Sequence, residues 1–407
     1  MKVKIKKIKY SFIKEKLFTE KFEKSTEHLA EITHFLQKEK SVNFNILPLK
    51  GLLNGFAQNI TSESVFKNKI GVTWDVPFPP PREPEFTFID LFAGIGGFRI
   101  AMQALKGKCV FSSEIDIKAR RTYENNFGEV PFGDIREFTG HQITDEKLNN
   151  LIPDHNVLCA GFPCQPFSLA GISARNFLKQ VNGFSDKIKG NLFFDIARIV
   201  AVKKPDVVFL ENVKNFKGHD GGNTFLTVRK TMEDLGYNFF FGTINAEKWV
   251  PQSRQRFYMV CFKRKVKNFT FPESKRNFKK LKSILEKKVS PEYTISDKLW
   301  IGHINRTKRN LERGTGFTAH EADLEKPSKT LVARYGKDGK ECLIPQKGKN
   351  PRKLTPRECA RLQGFPESFV LPPSNAAAYH QFGNSVAVPV IKAIAKNIVK
   401  KIVKKKK

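Results

Sequence analysis

From residue 86 onward, short runs of Val, Ile, Leu and Phe alternate with stretches in which apolar residues recur every three or four positions. FTFIDLF (86–92), KCVFSSE (108–114), HNVLCAGF (155–162), PDVVFLEN (205–212) and RFYMVCF (256–262) are apolar at successive positions. A strand with one face in water would alternate, so these runs predict strands buried on both faces, as in parallel sheets. Helical spacing at 97–106, 117–126, 191–203 and 223–235 fills the intervals. Strand–helix alternation of this kind predicts an open, doubly wound α/β sheet.

Upstream, the spacing predicts one amphipathic helix over about 25–40, with Ser25 as N-cap and Leu29, Ile32, Phe35 and Leu36 on one stripe. Shorter helical stretches at 49–58 and 61–69 could complete a helix-turn-helix, a pattern shared with many small bundles. VPFPPPREPEF (76–86) cannot continue a helix and reads as a stiff linker. No run of 18 apolar residues occurs, so no membrane span is expected. The basic start MKVKIKKIKY lacks the apolar stretch of a secretory signal.

At 407 residues the chain predicts two or three domains. Six cysteines at 109, 159, 164, 261, 342 and 359 form no CxxC pair, which argues against a zinc site or disulfide framework and fits a reducing, cytoplasmic setting. The formal charge is +32, from 72 basic and 40 acidic residues, and it points to a polyanion such as nucleic acid. Its distribution is uneven: net +5 over 1–85, +4 over 86–262, +15 over 263–354 and +8 over 355–407. A general preference for lysine would spread the excess, so the basic segment is the candidate for polyanion contact.

FAGIGG (92–97) follows the first strand and opens the first helix; Gly94, Gly96 and Gly97 let backbone approach a ligand closely. A tight strand-to-helix turn would use the same glycines. Glu114, ending the second strand, stands where α/β nucleotide folds put a carboxylate for ribose hydroxyls. Asp134 could accept from an adenine amino group. Together these favour an adenosine-containing ligand without saying which.

GFPCQPFS (161–168) follows another strand, and its prolines hold Cys164 at the strand ends, where ligands of open sheets bind. The remaining cysteines read as small buried hydrophobes. Glu211 in ENV (211–213) ends the next strand, and QSRQR (252–256) brings Arg254 and Arg256. One reaction class needs this set. C5 of cytosine is a poor nucleophile until a thiolate adds to C6. A carboxylic acid at N3 assists that addition, guanidinium near O2 stabilises developing charge, and a sulfonium donor at the glycine turn supplies the methyl group. The base must leave the duplex to reach such a site.

The stretches FIDLFAGIGGF (88–98), SSEID (112–116), GDI (133–135), AGFPCQPFS (160–168), LFFDIARIV (192–200), ENVKNF (211–216), PQSRQRFYMV (251–260), KLTPRECARLQGFP (353–366) and QFGNSV (381–386) occur in an order that resembles the DNA (cytosine-5)-methyltransferases of bacterial type. The resemblance implies a Rossmann-like methyltransferase core with S-adenosylmethionine as donor. It also implies Cys164 as nucleophile, Glu211 as its partner at the base, and Arg254 and Arg256 beside it. Donor contacts are implied for Phe92, Gly94, Gly96, Glu114, Asp134, Ile135, Pro163, Leu192, Asn384 and Val386. Two departures stand out. Some members place Trp after the ribose carboxylate where this chain has Ile115, and the loop after Cys164 is longer here, through ARNFLKQVNGFSDKIKGN.

The same resemblance implies a domain plan: a helical extension over 1–75, the linker 76–85, the catalytic domain 86–262, a smaller mixed target recognition domain over 263–350, and a segment 351–407 that completes the catalytic domain, its last helix packing beside the first strand. SDKLW (296–300), RGTGF (313–317) and TLVARYGKDGKECLI (330–344) resemble the recognition domain of the Dcm type, which modifies an inner cytosine of a CC-containing site. The expected partner is double-stranded DNA, with a cognate restriction endonuclease acting on the same site without direct contact. A monomer without metal is expected, cytoplasmic and at the nucleoid when bound to DNA. Two other readings stay open: a tRNA cytosine-C5 methyltransferase sharing the core, and a DNA-binding regulator working through the N-terminal segment.

Overall fold

The computed structural model describes residues 6–17, 22–37, 70–163, 192–314, 316 and 318–403. Cys164, the loop that follows it and the stretches 49–58 and 61–69 lie outside the described residues. The chain divides into two compact units: Met1–Gly242 with Phe257–Thr270 and Ala395–Lys407, and Thr243–Arg256 with Phe271–Ile394. These units cut the chain differently from the sequence-based boundaries. Residues 351–394 fall with the second unit and only 395–407 with the first.

The first unit starts with β1 (Lys6–Lys9), α1 (Tyr10–Leu17), α2 (Phe22–Gln37) and β2 (Ile70–Thr73), with β1 and β2 paired in parallel. Helix α2 starts three residues before Ser25, so Ser25 lies within the helix and is not its N-cap. The Pro-rich stretch does not stand apart from this unit. Phe78 N–H donates to the Asn126 carbonyl at 3.0 Å and Gln103 Nε2 to the Pro79 carbonyl at 3.0 Å.

Next come β3 (Phe86–Leu91), α3 (Gly97–Gln103), β4 (Gly107–Ser113), α4 (Ile117–Phe127), α5 (Arg136–Thr139), α6 (Asp145–Leu151), β5 (Val157–Gly161), α7 (Leu192–Lys203), β6 (Val207–Val213), α8 (Asn223–Asp234), β7 (Asn238–Asn245) and β8 (Gln255–Phe262). The six-stranded sheet runs β4-β3-β5-β6-β8-β7, and the β4-β3, β3-β5 and β5-β6 pairs are parallel. All five strands predicted from continuous apolar runs are present. Phe88, Ile89, Leu91, Leu158, Ala160, Val208 and Leu210 are fully buried, as strands covered on both faces require. The sixth, β7, was not predicted. Its residues are mostly half-exposed, although its sequence NFFFGTIN holds three successive phenylalanines. Phenylalanine fills the core in edge-to-face clusters, such as Phe111 and Phe132 against Phe138.

In the second unit, α9 (Asp297–Glu312) and α10 (Tyr335–Asp338) precede the hairpin β9 (Ile344–Gln346)–β10 (Lys349–Arg352); α11 (Pro356–Leu362) and α12 (Asn375–Asn384) follow. The KLTPRECARL motif has a local cause. Thr355 caps α11 with Pro356 in its first turn, and Glu358 closes a reciprocal capping box. Arg352 then meets the Glu358 carboxylate through two 2.8 Å bonds in the interior. The last helix, α13 (Val388–Ile402), passes from the second unit back to the first at Ala395. Among the described residues, no helix is long and apolar enough to cross a membrane.

Candidate active site

The turn between β3 and α3 is built from left-handed backbone. Phe92, Gly94 and Gly96 have φ of 55°, 55° and 84°. A non-glycine residue at such an angle costs energy and is held only where its surroundings over-determine it, commonly at ligand sites. Gly96 is required twice over, since a Cβ there would lie 2.2 Å from the Phe127 ring. Gly94 is different: a Cβ would meet nothing within 4 Å, so the turn is open on that side.

Glu114 stands just beyond the end of β4 and closes this turn. Its Oε2 accepts from Gly94 N–H at 2.7 Å and its Oε1 from Asp116 N–H at 2.8 Å. Burial pushes the carboxyl up, and the backbone donors counter that push. A carboxylate offers about four lone-pair sites, more than its backbone donors use, so it can still accept from a ligand hydroxyl. Ile115 beside it is 66% exposed, an apolar surface where some family members place Trp.

Asp134 binds Arg136 through both oxygens: Oδ1 accepts from Nε at 3.0 Å and Oδ2 from Nε and Nη2 at 2.9 and 2.5 Å, and this hydrogen bonding holds its carboxyl below the usual range. Ile135 is buried in the core, whereas Phe92 and Leu192 are half-buried against it. Pro163 is exposed. The open turn, the spare acceptor capacity of Glu114 and the exposed Ile115 fit the ribose and adenine of S-adenosylmethionine.

Glu211, two residues before the end of β6, is in register with Gly161, the last residue of β5. Its carboxylate lies over that glycine: a Cβ on Gly161 would come 3.6 Å from Glu211 Oε2. Asn212 Nδ2 donates to the Phe162 carbonyl at 3.0 Å and its Oδ1 accepts from Val213 N–H at 2.8 Å, which pins the two strand ends together. Sequence reasoning passed over Asn212, although its place in the quoted ENV was the available signal. Glu211 therefore stands against a segment that reaches Cys164 three residues after Gly161. The other five cysteines are buried, and burial pushes every one of their thiols up, Cys342 to about 12. Such thiols are poor sources of thiolate.

In the second unit the two arginines of QSRQR separate. Arg254 is 2% exposed and donates to the carbonyls of Leu331, Gly383 and Ser385 at 2.9, 3.2 and 2.6 Å. It thereby ties QSRQR to QFGNSV. Gly383 allows this, because a Cβ there would lie 2.3 Å from the Val332 backbone. Arg256, half-buried, donates from Nη1 to the Gln255 carbonyl. In that QFGNSV stretch, Asn384 is exposed and Val386 is 8% exposed.

Known proteins resemble this chain over most of its length. The family described as C-5 cytosine-specific DNA methylase matches residues 86–400. The Type II methyltransferase M.SsoII of Shigella sonnei is 48% identical over 330 residues, 79% of this chain and 82% of that protein. The DNA-cytosine methyltransferase of Escherichia coli K12 is 36% identical over 427 residues, 88% and 90% of the two chains. A crystal structure of the S. pombe Dnmt2 methyltransferase shares the fold, with a TM-score of 0.60 at 20% identity over 78% of this chain and 99% of that one. A sheet with a glycine turn closed by Glu114, a carboxylate at the adjacent strand ends, and sequence identity of this extent leave one assignment: the chain belongs to the C-5 cytosine-specific DNA methylases.

Proposed function

We infer that this protein transfers a methyl group to C5 of a cytosine in duplex DNA, with Cys164 as nucleophile and Glu211 as its partner at the base. The observation that carries the reading is the Glu211 carboxylate over Gly161, at the strand ends from which Cys164 follows. S-adenosylmethionine, when bound, supplies an electrophilic methyl group. Gly94 and Glu114 would hold its ribose, with Ile115 and Phe92 offering apolar contact to the adenine. Asp134 would accept from the adenine amino group only through lone pairs that Arg136 leaves unused.

At the base, Cys164 adds to C6 as thiolate, and Glu211, protonated, gives a hydrogen bond or proton to N3. Proton loss from C5 and departure of the thiol restore the enzyme. Arg256 is the better candidate to stabilise charge near O2, because Arg254 is committed to three carbonyls of its own unit. Pro163, Leu192, Asn384 and Val386 remain proposed donor contacts. The basic 263–350 segment would neutralise phosphates and carry the few side chains that read base edges. A tRNA substrate and a purely regulatory role are not favoured, since the matched family and the Escherichia coli relative are named for DNA cytosine methylation.

We further propose a role beside a restriction endonuclease recognising the same CC-containing site, a monomeric state and residence at the nucleoid. Bisulfite sequencing of DNA from a host expressing the protein tests the reading. Methylcytosine should appear at one sequence context and vanish with Cys164→Ser, whose donor binding should stay near normal. Label confined to tRNA, or turnover surviving in Cys164→Ser, would overturn it.

A further inference from the structure

The apolar stripe of α2 carries polar residues in its midst. Thr26, Thr33, His34 and Gln37 are all buried, alongside Leu29, Ala30, Ile32 and Phe35. Buried polar groups are stable only with partners, and here the partners lie along one line. Among the described residues β4 is the edge strand of the sheet, so the outward backbone groups of Ser112 have no neighbouring strand there to pair with. The segment following α4 covers part of that edge. Phe132 N–H donates to the Ser112 carbonyl at 2.9 Å and Glu114 N–H to the Phe132 carbonyl at 2.8 Å.

Helix α2 satisfies what remains. His34 Nε2 accepts from Ser112 N–H at 3.1 Å, Thr33 Oγ1 from Val130 N–H at 2.9 Å, and Glu27 Oε2 from Gly133 N–H at 3.2 Å. His34 Nδ1 lies 2.9 Å from the Ala30 carbonyl, which can only accept, so that nitrogen carries the proton and Nε2 is the acceptor. Glu129 Oε1, 3.4 Å from His34 Nε2, takes its own hydrogen bonds from Arg99 and Ser112 Oγ. Glu27 Oε1 also accepts from Arg120, whose Nε holds the Pro131 carbonyl. Gly133 fits closely here, since a Cβ would lie 2.7 Å from Glu27 Oε1.

The two strips held this way are the ones that carry the carboxylates of the donor site. Ser112 precedes Glu114 by two residues, and Gly133 precedes Asp134 by one. We propose that α2 is a positioning element of the methyl-donor site, with His34, Thr33 and Glu27 fixing the backbone that presents Glu114 and Asp134. This rests on the donor reading given above. The N-terminal helix is then a working part of the donor-binding unit and not a detachable reader of DNA.

The test compares His34→Leu, Thr33→Val and Glu27→Ala with the conservative His34→Gln, Thr33→Ser and Glu27→Gln in the full chain, each of the latter keeping an acceptor. Equilibrium titration with S-adenosylmethionine, melting temperature, and separate KM values for donor and DNA are read. The first set should raise the donor Kd and KM about tenfold, with kcat and the KM for DNA changed less than about twofold, and the conservative set should recover most of the loss. Glu27, half-exposed, is the variant least exposed to misfolding. Folded first-set variants with wild-type donor affinity, an equal rise in the KM for DNA, or no recovery in the conservative set would overturn the proposal. Wild-type protein that fails to bind the donor would instead overturn the functional reading beneath it.

Discussion

Glu114 Oε2 receives the backbone N–H of Gly94 at 2.7 Å, joining the end of the second strand to the glycine turn after the first across twenty positions of sequence. One carboxylate thus shapes the turn and faces the ligand it would bind. Replacing Glu114 with Ala leaves the Gly94 and Asp116 amides without their acceptor, at about 1–3 kcal/mol for each buried donor. The donor Kd should rise by about 10- to 100-fold on titration with S-adenosylmethionine. Glu114→Gln, which keeps one oxygen, should fall between. Unchanged affinity in Glu114→Ala would remove this residue from the donor site.

Gly94 and Gly96 should respond differently to the same substitution. Gly94→Ala meets open space and carries only the cost of its positive φ, about 1 kcal/mol. Gly96→Ala adds a collision with Phe127, so thermal unfolding should show a loss of about 3 kcal/mol or more. Gly94→Ala should still disturb donor binding, because its new methyl enters the open side of the turn. Equal melting temperatures for the two variants would refute the distinction.

The arginine pair should divide by readout. Arg254→Lys cannot serve three carbonyls with a single ammonium and should lower stability by about 2–4 kcal/mol in denaturant titration. Arg256→Lys should leave stability nearly unchanged and lower kcat. A stable Arg254→Lys, or an Arg256→Lys with full kcat, would reverse the assignment.

His155 sets a pH dependence. Burial holds its imidazole down to about 4, with Nδ1 2.8 Å from the Pro153 carbonyl. The unfolded chain takes up this proton below about 6.5, while the folded one resists it. Its contribution is therefore complete above about pH 6.5 and is lost as pH falls toward 4, for a total of ~3 kcal/mol. His155→Asn, which can keep the donor to Pro153, should flatten that acid limb of the stability curve. Parallel curves for the two proteins would show that another group is responsible.

Continuous apolar runs sufficed to predict the five strands of the doubly wound sheet, because burial on both faces leaves a composition that no other element needs. The glycine turn, Glu114 and Glu211 were legible for a related reason: in such a sheet, the residue ending a strand stands at the ligand edge wherever the chain goes next. β7 escaped although NFFFGTIN is rich in phenylalanine, because Gly242 and Thr243 cut the apolar run to three residues.

Other features depend on contacts between distant parts of the chain. Arg254 and Arg256 are two residues apart in one motif, and only the carbonyls of Leu331, Gly383 and Ser385 separate a brace from a candidate for the base. The Pro-rich stretch reads as a stiff linker between two parts until Asn126 and Gln103 are seen to hold it. Thr33 and His34 lie beside an apolar stripe, and only the folded chain shows that they accept from the amides of Val130 and Ser112. Sequence by itself determined five of the six strands of the sheet, the helices between them and the carboxylates at the strand ends, because these follow from local composition and from sheet geometry. Tertiary structure alone decided which polar side chains are spent on backbone, because hydrogen-bond partners dozens of residues away leave no trace in local pattern.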